Sequence, residues 1–223
     1  MQTEQTGQTE QTGQENKQES LGLSDKKKKA IPIIIAASVV FIALLMGIGI
    51  YNTPANRLQR RLDLGNRYLE ERQYEQAALA FEQAIVIDDR CMAAYIGGVK
   101  AYRYMDDTES LHILYDKALD AVRKLDVDAI AENIDYLVQI YLMTQDVYGY
   151  NLEYAVECLM EGYQLTERNG QIGEQLVEIY LKWTDELIEE ENYEKAISEL
   201  TKGYEETQNE RLAKKLKEIQ EIS

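Results

Sequence analysis

Imidazole is the side chain that titrates near neutrality, so the single histidine, His112, is the first candidate for acid–base chemistry. It stands in SLHILYD with no nucleophile, carboxylate or second ligand at a spacing that would converge on it. The expectation is a structural histidine on a helix surface, with no fixed partner in the sequence. Cys91 and Cys158 lack CxxC spacing and neighbouring bases, which excludes a disulfide scaffold, a redox pair and a zinc site, and they read as small buried hydrophobes. The acidic runs Asp106-Asp107 and Glu189-Glu190-Glu191 lack the flanking oxygen ligands that a cation loop requires, and they read as solvated turns at helix ends. No acid pair has surroundings that would raise one pKa, as glycoside hydrolysis demands. GxSxG, HExxH, phosphate-cradling glycine loops and EF-hand spacing are missing from the sequence. The chain is therefore expected not to be an enzyme, with no catalytic residue, no metal site and no cofactor.

If the chemistry is binding, long elements must present it. Of 40 acidic and 24 basic residues, five of each precede Ala30, which leaves 35 acids against 19 bases in the rest of the chain. Such an acidic region repels phosphate, so nucleic acid is excluded as a partner. The acidity either steers a cationic partner or serves solubility alone. Residues 1–29 contain QTEQTG twice and no large apolar residue before Leu21, so a disordered polar tail is expected. Residues 30–51, AIPIIIAASVVFIALLMGIGIY, carry no charge, and as a helix they would cover about 33 Å. That predicts a single transmembrane helix, from Ala30 to Tyr51, in preference to a cleaved signal peptide. Lys26 to Lys29 beside it predict a single-pass cell-membrane protein with its tail in the cytoplasm and its main domain outside.

From residue 56 to 223 the pattern is helical. Pro is absent after Pro54 and Gly is sparse. Apolar periodicity and turn signals predict helices over 56–71, 74–87, 91–105, 108–124, 127–144, 151–167, 172–190, 193–207 and 209–221. Leu64-Gly65, then Tyr68, Ala77, Phe81 and Ala84, form a first unit. Adding 34 residues brings Tyr95, Tyr102, Tyr115 and Ala118 into a second. Segments 153–169 and 194–210 align through Ala155/Ala196, Leu159/Leu200, Gly162/Gly203 and Tyr163/Tyr204. The extra residues between the second and third copies fit a longer first helix or a loop from Gln145 to Asn151. These spacings resemble the tetratricopeptide repeat, and the whole chain looks like a membrane-anchored bacterial member of that family. The implied fold class is all-α, a helical-hairpin solenoid of about four pairs plus a cap helix, after the transmembrane helix and the tail.

The resemblance implies that the first helix of each pair lines a concave groove holding a protein or peptide partner. Carried over residue by residue, the groove positions are Leu62, Asn66 and Leu69, then Ile96, Lys100, Arg103 and Tyr104, then Tyr136, Gln139 and Met143, then Leu181, Lys182 and Asp185. Asn66, Leu69, Lys100, Arg103, Tyr104, Tyr136, Gln139 and Lys182 are the expected contacts. The carboxylate clamp of the chaperone-binding subset is absent, because Leu62 and Gly97 stand where Lys and Asn are required. Tyr104, Tyr136, Tyr148 and Tyr150 are expected to supply an aromatic contact surface. The expected function is a membrane-tethered scaffold or adaptor, with a ligand-sensing module signalling through the anchor as the alternative.

Overall fold

A computed structural model describes residues 35–47, 49 and 51–221, and the chain divides into two units, Met1–Asn56 and Arg57–Ser223. The tail over 1–29 and the start of the apolar run, 30–34, lie outside the described residues. Residues 35–47 form a helix, α1, with Val39, Phe41, Leu44 and Met46 all exposed. Among the described residues no helix is long and apolar enough to cross a membrane. This corrects the transmembrane part of the fold-class expectation, and with it the single-pass membrane location and its orientation. The expectation rests on apolar composition over 22 residues, and composition alone does not fix one uninterrupted membrane-crossing helix.

The second unit is all helix among the described residues. Its elements are α2 (Pro54–Glu70), α3 (Tyr74–Ile87), α4 (Met92–Tyr104), α5 (Thr108–Val122), α6 (Val127–Glu132), α7 (Ile134–Leu142), α8 (Thr144–Tyr148), α9 (Leu152–Leu165), α10 (Gly170–Glu189), α11 (Tyr193–Thr207) and α12 (Glu210–Gln220). Pro54 opens α2, at a position where a missing N–H is harmless. Turn asparagines start the later helices: Asn151, Asn169, Asn192 and Asn209 each accept a hydrogen bond from a first-turn N–H. The result is a helical repeat-like all-α fold, compatible with a tetratricopeptide-like solenoid.

Repetition is visible in the backbone. Arg72, Asp106 and Glu191 adopt left-handed φ values of 58°, 55° and 59° at the turns after α2, α4 and α10. At each turn the next N–H donates to a carbonyl five residues back: Gln73 to Tyr68 at 2.8 Å, Asp107 to Tyr102 at 3.1 Å and Asn192 to Leu187 at 2.8 Å. The turn after α9 repeats it, with Glu167 at φ 53° and the Arg168 N–H donating to the Tyr163 carbonyl at 2.7 Å, so one helix-stop motif is used four times without the usual glycine.

Small residues seat the pairs. Ala77 and Ala84 are fully buried, and Gly65 lies beneath the Phe81 ring, where a Cβ would stand 2.7 Å from Cζ. Gly162 lies beneath Tyr141 and Gly203 beneath Tyr180 in the same fashion. Only a bare backbone lets the helices approach so closely. Tyr115 and Tyr141 are buried between the pairs; the Tyr115 hydroxyl donates to the Ile140 carbonyl at 3.1 Å and lies 2.6 Å from Thr144 Oγ1.

The predicted helix over 127–144 is instead broken into α6, α7 and the start of α8. Asn133 leaves helical geometry at φ −109°, and its Nδ2 donates to the Ala129 carbonyl at 2.9 Å, competing with the ladder. The segment from Gln145 is likewise no plain loop: α8 buries Val147 and Tyr148.

Candidate functional site

Three first helices present one face each to a common cavity of about 310 Å³. From α2 come Gln59, Leu62, Asn66 and Leu69, spaced three, four and three residues apart, which keeps them on one side of the helix. From α4 come Ala93, Ile96, Gly97 and Lys100, and α7 adds Tyr136 and Gln139. Leucine and isoleucine side chains give the cavity an apolar lining, three amides and a phenol supply hydrogen bonds, and Lys100 is the one formal charge among its lining residues. Gly97 shapes the lining. A Cβ there would stand 2.3 Å from Phe81 Cζ, so the Asn of a carboxylate clamp has no room at this position.

Five of the eight expected contacts, Asn66, Leu69, Lys100, Tyr136 and Gln139, therefore converge on one cavity, with Leu62 and Ile96 beside them. The other three lie elsewhere. Arg103 forms an ion pair with Asp146 of α8. Tyr104 is exposed and stacks on Tyr74 with ring centroids 4.9 Å apart. Lys182 Nζ donates to the Gly149 carbonyl at 3.3 Å. Of the wider groove set, Met143 is buried and Asp185 pairs with Lys215 at 2.6 Å.

His112 differs from expectation. Its Nε2–H donates to the Val147 carbonyl at 2.8 Å, and its ring stacks on Tyr148 at 5.2 Å with Tyr150 edge-on at 5.5 Å. Tyr148 is not a surface aromatic; it is buried and its hydroxyl donates to Asp116. Burial and that carboxylate push its phenol well above the ordinary range. The signal for this clasp was in the sequence: Val147-Tyr148 is too apolar a pair for a solvated loop. Tyr136 and Tyr150 are exposed.

Nucleophile chemistry finds no support in these positions. Cys158 is buried, and burial raises its thiol to about 11; Cys91 is also raised, by burial first. A raised thiol is a poor nucleophile at neutral pH. Among the described residues no group of three or more His, Cys, Asp or Glu could hold a metal ion. Asp107 is used as an N-cap, and hydrogen bonding from the Ser110 side chain and backbone holds its carboxyl below the usual range.

No family model matches the chain, and no curated protein matches it.

Proposed function

We propose that the protein is a non-catalytic scaffold or adaptor whose tetratricopeptide-like groove, built by α2, α4 and α7, docks an extended or helical segment of a partner protein. The supporting observation is the convergence of Asn66, Leu69, Lys100, Tyr136 and Gln139 from three successive first helices onto one cavity. An apolar lining with a few convergent polar groups is what a docking site for a peptide side chain needs. A side chain of the partner fills the space among Leu62, Leu69 and Ile96, the amides of Gln59, Asn66 and Gln139 bond its backbone, and Lys100 favours an acidic or carbonyl oxygen nearby. Signalling through a membrane anchor has no such support, since among the described residues no helix is long and apolar enough to cross a membrane.

The test places a photo-crosslinking amino acid at Gln139 in the groove and, separately, at the exposed Leu79 of α3. One defined partner should be captured from Gln139 and not from Leu79. Lys100→Glu should then weaken the complex about tenfold, on the order of 1.4 kcal/mol. Equal capture from both positions, or binding indifferent to Lys100→Glu, would refute the groove reading.

A further inference from the structure

A second cavity, of about 360 Å³, lies among α9, α10 and α11 and has the opposite electrostatic character. Its lining is apolar and aromatic, from Val156 and Met160 on α9 and Tyr180 and Trp183 on α10. Its rim is acidic. Glu153 and Glu157 come from α9, and Glu199, Glu205 and Glu206 from α11, with Lys202 as the one cation among the lining residues. Three of the five carboxylates have intramolecular partners: Glu153 with Lys195 at 3.1 Å, Glu199 with Lys202 at 2.7 Å and Glu206 with Arg168 at 3.8 Å. Glu157 and Glu205 form no ion pair among the described residues.

The edge of this cavity already holds a cation in the way an incoming one would be held. The Lys195 ammonium stands 5.0 Å from the centroid of the Trp183 ring, and both oxygens of Glu153 accept its hydrogen bonds at 3.1 Å. An aromatic ring and a carboxylate together hold an ammonium or guanidinium better than either alone. The same Trp183 and Glu153 line the open volume, and the two carboxylates without ion pairs stand on its rim.

We propose that this cavity receives a lysine or arginine side chain from a basic, partly apolar segment of a partner protein. The alkyl stem lies along Val156 and Met160, Trp183 and Tyr180 supply ring contacts, and Glu157 and Glu205 bond the cationic head. Lys202 competes with the guest for the rim carboxylates. The site is independent of the groove, whose single formal charge is a cation.

Trp183 is the only tryptophan of the chain, so its emission reports on this cavity without a label. The full-length protein is titrated with an acetylated, amidated pentapeptide of alternating arginine and leucine, and with the same peptide carrying glutamate for arginine. The arginine probe should give a saturable emission change that weakens with added salt, and the glutamate probe none. Glu157→Gln combined with Glu205→Gln should weaken the arginine probe about tenfold; both side chains are exposed, so the fold should persist. Lys202→Ala should tighten it severalfold, and Lys100→Glu should leave it unchanged, which separates this site from the groove. An emission change that is absent, equal for both probes, or indifferent to the double glutamate substitution overturns the proposal. So does tighter probe binding after Lys26 to Lys29 are all replaced by Gln, which would make the chain's own basic run the occupant instead of a partner.

Discussion

Adding one methyl group at Gly162 should unseat the third helix pair. A Cβ there would stand 2.2 Å from Tyr141 Cγ and 2.6 Å from both Cδ atoms, whereas carbons rest about 3.5–4 Å apart. Cγ is the root of the ring, one bond from Tyr141 Cβ, so ring rotation does not move it aside. Tyr141 is fully buried, and its hydroxyl donates to Glu161 Oε1 at 3.2 Å, which leaves it little freedom to retreat. Overpacking of this kind costs about 1–3 kcal/mol, and the overlap here belongs at the top of that range. Alanine's helix preference over glycine offsets roughly 1 kcal/mol. The net loss is about 2 kcal/mol, which in a domain of this size lowers the unfolding temperature by about 4–8 °C. Thermal unfolding followed by far-UV circular dichroism should rank three substitutions. Gly162→Ala should unfold first. Gly203→Ala, with Tyr180 Cδ2 at 2.9 Å and the flexible Leu212 Cδ1 at 3.1 Å, should fall between. Gly170→Ala, with nothing within 4 Å, should match or slightly exceed the parent. A Gly162→Ala protein as stable as the parent would refute the claim that a ring seated on bare backbone sets the pair distance.

Two further outcomes follow from ionisable groups. Arg211 donates to Glu178 and Glu174 at 2.8 Å each, and the bond to Glu178 holds that carboxyl below its ordinary 4.5. A depressed acid contributes stability above its unfolded-state pKa and loses it as pH falls through the folded value, so α12 should stay docked at neutrality and loosen on acidification below 4.5. Hydrogen exchange along Glu210–Gln220 measures this, and Arg211→Gln should reduce the pH dependence; identical acid profiles for the two proteins would count against the pairing. In thiol alkylation near neutral pH, Cys91 should be modified and buried Cys158 spared until denaturant is added, as read by peptide mass spectrometry. Equal rates at the two thiols in the native protein would show that α9 opens freely.

Helix positions were legible wherever apolar periodicity and a turn signal agreed. The predicted 74–87 is Tyr74–Ile87 and the predicted 193–207 is Tyr193–Thr207. Gly65, Ala77, Phe81 and Ala84 were also legible as buried, because close helix crossings restrict residue size at fixed spacing. The break at Asn133 was not, since it depends on a side chain bonding the preceding turn rather than on any shift in periodicity. The groove residues split for a similar reason. Lys100 and Gln139 reach the cavity because helix spacing alone carries them there, whereas Arg103 is drawn to Asp146, 43 positions along, a tertiary attraction with no local trace. The acidic cavity around Trp183 also went unread. Glu153/Glu157 and Glu205/Glu206 look like ordinary solvated faces until α9 and α11 are set on either side of α10.

The chain has sixteen tyrosines and two phenylalanines, so most of its interior rings carry a polar tip. A phenylalanine core tolerates sliding, because one greasy surface is much like the next. Here a slip of α5 by one turn would strand the Tyr115 hydroxyl away from Ile140 and Thr144, at a penalty of about 1–3 kcal/mol for the buried group. Each such phenol proofreads the alignment of the helices around it. Faithful stacking can thus be held by hydroxyl contacts even at a helix crossing that lacks a small residue.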